Sequence, residues 1–313
     1  MEKKVLSIVV PCYNEEETVA LFYQAVEKEK ETFTYPIRLE YIFVNDGSSD
    51  QTLNELRALQ QKDPEHVHYR SFSRNFGKES ALYAGLQRAT GDYVTVMDAD
   101  LQDPPEMLNT MIQLLEESDE YDCIGTRRED REGEPIIRSF FSKMFYALIN
   151  KISETKMIDG VRDFRMMRRQ MVDAILELSE VNRFSKGIFS WVGFNTKYLP
   201  YHNVERVAGE TSWSFWGLFR YSIEGIVNFT NMPLMIATVI GLLSCIGAFI
   251  GLIIVITRTV LFGNPTEGWP SLVCIMLFIG GLQLFCLGIV GQYIGKIFNE
   301  TKKRPIYIVK EEK

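Results

Sequence analysis

The stretch GDYVTVMDADLQDPPE, Gly91 to Glu106, runs from a β-prone segment straight into an acidic turn. Tyrosine, valine and threonine suit a pleated, half-buried surface, so Tyr93 to Met97 predicts a strand that stops where Asp98 begins. Three runs of the same kind precede it: Val5 to Val10, Leu39 to Val44 and His66 to Phe72. Between them, Thr18 to Lys30, Thr52 to Gln61 and Ser80 to Ala89 show helical spacing. Strands that alternate with helices predict an α/β domain with a mostly parallel, Rossmann-like sheet covered by helices. In that architecture ligands bind beyond the carboxyl ends of the strands, so the residues following each apolar run carry the most information.

Those residues are unusually polar. PCYNEEE (Pro11 to Glu17) follows the first run, NDGSSD (Asn45 to Asp50) the second and DADLQDPPE (Asp98 to Glu106) the fourth, so all three are expected along one sheet edge. NDGSSD also reads as a turn leading into a helix capped by Asp50 or Ser49. Turn chemistry alone does not account for the convergence of acids. Asp98 and Asp100 are separated by one small residue, which lets both face one ligand where the chain leaves the sheet. A hard cation suits them: Mg²⁺ or Mn²⁺ is commonly held by one or two carboxylates and shares its other positions with substrate phosphates. Gln102 could supply a neutral oxygen or orient a ligand. The chain has no GxGxxG and no GxxxxGK[ST], which removes the main support for a dinucleotide oxidoreductase or a P-loop NTPase.

The last third of the chain has a different character. Gly225 to Thr257 and Gly268 to Gly295 contain no Lys, Arg, Asp or Glu. Each exceeds the roughly 20 apolar residues that span ~30 Å of hydrocarbon at a ~1.5 Å rise. Asn264, Pro265 and Gly268 lie between them, so the pair reads as a transmembrane hairpin. Lys296, Lys302, Lys303 and Arg304 follow the second span and Arg220 precedes the first, whereas Arg258 is the only Lys or Arg in the connection. The excess of positive charge predicts cytosolic termini. Val5 to Val10 is too short for a signal h-region. Two amphipathic stretches complete the pattern. One runs from Ile137 to Ser153, and the other from Thr211 to Phe229, where Trp213 and Trp216 suit a helix lying in the headgroup region.

The five cysteines, Cys12, Cys123, Cys245, Cys274 and Cys286, form no CxxC pair, which argues against a zinc site or disulfide framework. A net charge of −7 argues against nucleic acid as a partner.

SIVVPCYNEEE, VNDGSSDQT, SRNFGKESALYAG, GDYVTVMDADLQDPPE and DGVRDFRMMRR together resemble the motifs of family 2 inverting glycosyltransferases with the GT-A fold. The likeness runs from Leu6 to about Pro200 and is nearest to the polyprenyl-phosphate branch, with its dolichol-phosphate mannose synthases and bacterial bactoprenol glucosyltransferases. The two spans match the bacterial membrane-anchored members. The resemblance implies that Pro11, Tyr13, Asn14, Glu15 and Lys78 belong to the nucleotide-sugar site, with Asp46 at the uracil or ribose. It also implies that Asp98, Asp100 and Gln102 hold metal and diphosphate, and that Asp163 serves catalysis or sugar positioning. The QxxRW motif of processive polysaccharide synthases is absent, which argues for transfer of a single sugar.

The acceptor implied is a polyprenyl phosphate, whose charge calls for arginines near the membrane; Arg127, Arg131 and Arg138 are the candidates. Asp163 need not act as a base, because a phosphate monoester has a second pKa of ~6 and is already largely an anionic nucleophile. UDP-glucose is the first choice of donor and UDP-N-acetylglucosamine the second. Transfer to another lipid, protein or glycan, or a catalytically silent scaffold, are the competing readings, and the intact Asp98, Asp100 and Asp163 stand against the scaffold.

The expected organisation is a cytosolic GT-A domain over 1–210, an interfacial helix over 211–229, spans over 230–257 and 268–295 and a cytosolic tail over 296–313. The expected setting is a bacterial plasma membrane, and the resemblance favours a homo-oligomer such as a tetramer.

Overall fold

In strand β1 (Val5–Cys12) side chains alternate between two buried faces. Leu6, Ile8, Val10 and Cys12 enter one core cluster, while Val9 faces the other side of the sheet and meets helix α3 (Lys78–Arg88). A Cβ on Gly85 of α3 would lie 2.2 Å from Val9 Cγ1, so glycine is what lets this helix settle onto the sheet. Burial on both faces explains why β1 and β2 (Arg38–Asn45) read as near-continuous apolar runs.

The computed structural model describes residues 3–128, 160–201, 230, 232–262 and 268–313. They fall into two compact units. The first holds the described residues up to 201 together with Pro305–Lys313, and the second holds those from 230 to 304. The stretches 137–153 and 211–229, and with them Arg131 and Arg138, lie outside the described residues.

The first unit contains α1 (Val19–Lys30), α2 (Thr52–Lys62), β3 (Val67–Phe72), β4 (Tyr93–Val96), α4 (Met107–Glu117), β5 (Cys123–Arg128) and β6 (Val161–Arg168). After these come α5 (Arg169–Glu177), α6 (Ser185–Trp191), β7 (Thr196–Tyr201) and, at the end of the chain, β8 (Val309–Glu312). The eight-stranded sheet has the order β7-β5-β6-β4-β1-β2-β3-β8. β6 and β8 run against the other six strands. The sheet is therefore mostly parallel, as the alternation of strands and helices predicts.

Helix α1 buries Val19, Phe22, Tyr23 and Val26, and α4 buries Leu108, Met111, Ile112 and Leu115. Both sets repeat at i, i+3, i+4 and i+7, one apolar stripe laid on the sheet. The order 3-2-1-4 reverses between β1 and β4, and the crevice at such a reversal is where this architecture binds ligands.

Two expectations need correction. Residues 296–313 are not simply a tail: the last helix continues to Thr301, and β8 then pairs antiparallel with β3. Tyr69 and Lys313 exchange both backbone hydrogen bonds at 3.0 Å, Arg57 grips Glu311, and Tyr307 stacks on Phe72 at 4.8 Å. β8 thus covers an edge that would otherwise present unpaired amides. In addition, the N-cap position of α2 is Gln51, not Asp50 or Ser49. Asp50, one position earlier, still serves the helix start, accepting hydrogen bonds from the amide and hydroxyl of Thr52, the first residue of α2, and it also accepts the Glu16 amide.

In the second unit, α7 (Met232–Phe262) and α8 (Trp269–Thr301) are long and apolar enough to cross a membrane over Met232–Gly251 and Phe278–Thr301. Both segments are almost wholly exposed, unlike the core helices of a soluble protein, which are mostly buried. The Tyr293 hydroxyl donates to the Thr230 carbonyl at 2.8 Å.

Candidate active site

Two loops meet at the carboxyl ends of β1 and β2. Asn14 has φ 56°, a left-handed backbone uncommon outside glycine, and its amide donates to Ser48 Oγ at 2.9 Å. Its side-chain oxygen accepts from the Ser49 amide at 2.9 Å. The Glu15 amide donates to Thr52 Oγ1 at 2.8 Å, and Glu16 accepts from the Gln51 amide at 2.7 Å. PCYNEEE and NDGSSD therefore form one cross-linked surface. Within it Pro11 stands in register with Val44 one residue before β1 ends, Tyr13 is 48% exposed and Glu15 accepts a hydrogen bond from Thr18. Such strained, over-determined backbone is characteristic of ligand-binding loops.

Asp46 is buried and turned toward the β3–α3 loop, accepting the amides of Phe76 at 2.6 Å and Gly77 at 2.9 Å. Burial raises its pKa despite those two donors. Gly47, at φ +66°, brings the two loops together, since a Cβ there would lie 2.3 Å from the Arg74 carbonyl carbon. The described structure thus gives Asp46 a loop-building role. It fixes the backbone that delivers Lys78 to the site.

Lys78 opens α3 and reaches across to β4 and β6. Its Nζ lies 2.7 and 2.9 Å from the two Asp98 oxygens and 3.0 Å from Asp163 Oδ2. Burial disfavours the ammonium, but the two carboxylates outweigh it and the pKa of Lys78 is raised. For Asp163, burial pushes upward while Lys78, followed by Lys186, pulls its pKa well below the usual carboxylate range. A carboxylate held that firmly ionised is a weak proton acceptor.

The turn after Asp98 closes on Asp103, a residue that sequence reasoning did not single out. Asp103 is 1% exposed, accepts the Asp98 amide at 3.1 Å and lies 3.5 Å from Arg162 Nη2. Burial, and next the charge of Asp98, push its pKa up to about 7 against the pull of Arg162. Asp100 is buried and accepts the Gln102 amide at 3.1 Å, and Leu101 between them has φ 57°. Arg162 also donates to Gln102 Oε1 at 3.3 Å. The one available signal for Asp103 was its place in the acidic run immediately before Pro104 and Pro105. Its burial depends on a turn that residue types do not specify.

Four arginines lie around Asp163 in sequence, and of these only Arg162 forms an ion pair with an acid of the site. Arg165 is buried, donates to the carbonyls of Arg162 and Asp163, and stacks 3.8 Å from the Phe189 ring. Arg168 caps the end of α4 through the carbonyls of Leu115 and Ser118. Arg169 holds the carbonyls of Ala89 and Gly91. Arg127, on β5, stands in register with Val161 and Pro200, so it lies at the same sheet edge as Asp163. Glu79, next to Lys78, accepts both the amide and the hydroxyl of Ser185, which ties α3 to α6.

The donor set suits a hard cation. It contains only oxygen ligands, and among the described residues Asp103 Oδ1 is buried without a hydrogen-bond partner. Among the described residues no group of three His, Cys, Asp or Glu is arranged around a metal position. A cation at Asp98 and Asp100 would therefore draw its remaining ligands from a bound substrate, as Mg²⁺ does beside phosphates.

Residues 7–176 match the model of the family described as Glycosyl transferase family 2. The prophage bactoprenol glucosyl transferase homolog of Escherichia coli (strain K12) is 43% identical over 308 residues, 98% of this chain and 99% of that protein. The bactoprenol glucosyl transferase of Shigella phage SfV is likewise 43% identical over 308 residues, with the same coverage. Among solved structures, the mannosyltransferase PcManGT from Pyrobaculum calidifontis, in complex with GDP-Man and Mn²⁺, aligns with TM-score 0.46 at 15% identity, over 94% of this chain and 88% of that one. The chain belongs to glycosyl transferase family 2 and is a glycosyltransferase with the GT-A fold.

Proposed function

We propose that the enzyme transfers one sugar, glucose in first place, from a UDP-sugar to a polyprenyl phosphate at the cytosolic face of a membrane, with inversion at the anomeric carbon. The observation that carries this reading is the extent of the likeness: identity to bactoprenol glucosyl transferases spans 98% of the chain, both apolar helices included. The return of the chain into the sheet as β8 supports two crossings, because both ends of the helical pair connect to one unit.

When bound, Mg²⁺ or Mn²⁺ would neutralise charge on a departing nucleoside diphosphate. Asp98, Asp100 and Gln102 would hold it. The cross-linked loops at Tyr13, Asn14 and Glu15 offer a rigid floor for the nucleotide. Arg127, with Arg131 and Arg138, would meet the acceptor phosphate. Its anionic oxygen needs little proton abstraction at neutral pH, since the second pKa of a phosphate monoester is ~6. Asp163, kept ionised by Lys78 and Lys186, fits a positioning role better than that of a base. Positioning and charge compensation would supply most of the acceleration.

The test is incubation of purified protein with labelled UDP-glucose or UDP-N-acetylglucosamine, Mn²⁺ and a panel of acceptors, with the product anomer read by NMR. One sugar on polyprenyl phosphate with inverted configuration is expected. Donor consumption with every acceptor except the lipid phosphate would overturn the reading.

A further inference from the structure

Lys78 holds a position that is hard to explain by stability alone. It is the first residue of α3, where the helix dipole favours anions over cations. Its backbone is set by the turn at Gly77, φ 96°, whose amide is held by Asp46. The ammonium contacts both oxygens of Asp98 at 2.7 and 2.9 Å and Asp163 at 3.0 Å, while its side chain remains 39% exposed. Both oxygens of a carboxylate assigned to the metal are thus already engaged by a cation of the chain itself. Arg162 performs the matching task for Asp103 and Gln102 on the other side of the same turn.

We propose that Lys78 is a built-in counter-ion that stands in for the metal at Asp98, and that it yields Asp98 only when cation and nucleoside diphosphate arrive together. The inference rests on the metal and UDP-sugar reading above. Without a bound cation, Asp98, Asp163 and Asp103 would repel one another; Lys78 removes much of that repulsion and so weakens attraction for a metal ion alone. The flexible four-carbon stem of lysine lets the ammonium swing from Asp98 to a phosphate oxygen, a move that a rigid guanidinium makes less readily. Metal and diphosphate then promote each other's binding, and by linkage the factor is the same in both directions. Lys78 is a positioning residue in this scheme.

The experiment is Mn²⁺ binding by electron paramagnetic resonance on the full chain in detergent, with and without UDP. In the wild type, weak Mn²⁺ binding should tighten at least about tenfold on addition of UDP, a coupling of ~1.4 kcal/mol. Lys78→Met should bind Mn²⁺ without UDP about tenfold more tightly than wild type and show a correspondingly smaller tightening on addition of UDP, the remainder coming from direct contact of metal and diphosphate, and Lys78→Arg should regain part of the wild-type coupling. Equal Mn²⁺ affinity of Lys78→Met and wild type in the absence of UDP overturns the proposal. So does a wild type in which UDP leaves Mn²⁺ affinity unchanged, a result that needs no variant to fold. Failure of the wild type to bind Mn²⁺ even with UDP overturns the metal reading and this inference with it.

Discussion

Two acid-bearing regions of the first unit, at opposite ends of the same sheet, handle buried negative charge in different ways. Near the amino ends, Glu40 on β2 accepts the Ser7 hydroxyl, the Thr90 amide at 3.0 Å and the Thr90 hydroxyl at 2.9 Å, while the Gly91 amide donates to Ser7 at 2.8 Å. Every partner there is neutral and short. Near the carboxyl ends, Asp98, Asp103 and Asp163 are balanced by Lys78 and Arg162, two long cations, and one Asp103 oxygen has no hydrogen-bond partner. A carboxylate satisfied by backbone and hydroxyls belongs to the scaffold. A carboxylate balanced by a flexible ammonium, as Asp98 is by Lys78, is arranged to exchange it for a ligand.

Substitutions at each end should separate the two kinds of acid. Asp100→Ala should lower sugar transfer by about 10²- to 10³-fold, the usual loss when one electrostatic partner of a transition state is removed, while the melting temperature stays near wild type. Initial rates at saturating donor and a thermal melt check this. A loss of fold equal to the loss of rate would erase the contrast between the two ends.

Arg162→Gln should weaken Mn²⁺ binding in the presence of UDP or slow transfer by about 10- to 100-fold, as expected for a residue that orients ligands from behind. Titration of Mn²⁺ against rate measures it.

Glu40→Ala reverses the pattern. It strands the Ser7 and Thr90 donors and should cost about 1–3 kcal/mol of stability, with KM for the donor unchanged. Denaturant unfolding followed by circular dichroism, alongside steady-state kinetics, reads both quantities. A raised KM without lost stability would show that the amino end participates in the site.

The smallest effect belongs to Glu311 on β8, where Arg57 first and Tyr69 second pull the pKa down to about 2 from 4.5. Because the folded pKa is depressed, the stabilisation is fully present above pH 4.5 and is lost as pH falls toward 2. The difference in melting temperature between wild type and Glu311→Gln should therefore shrink as pH is lowered from 6 to 3. A constant difference across that range would mean that the charge of Glu311 contributes nothing to the attachment of β8.

The four strands and three helices before Asp98 are legible because they are local: β-branched runs and i, i+3, i+4 stripes report their surroundings directly, and the ends fall within two residues of the observed bounds. The two apolar helices are legible for the same reason, as length without charge is a property of the segment itself. β6 and β8 are less visible. β6 carries Arg162, Asp163, Arg165 and Arg168 within eight residues, and β8 is four residues, Val309–Glu312, two of them acidic. Both are strands because a neighbouring strand supplies their hydrogen bonds, a cause that lies outside their own sequence.

Residue type and alternation are enough to place acids beyond the ends of successive strands, because together they imply a sheet with polar residues where its strands stop. Which of those acids act together is set by the folded chain. Asp46 turned inward to build a loop, Asp103 became buried, and of the four arginines around Asp163 only Arg162 entered the group. The reason is geometric. A charge's partner is chosen over a few ångströms in space, and the pairs formed here, Lys78 with Asp98 and Asp163, and Arg162 with Asp103, join residues 20 or more positions apart in the chain.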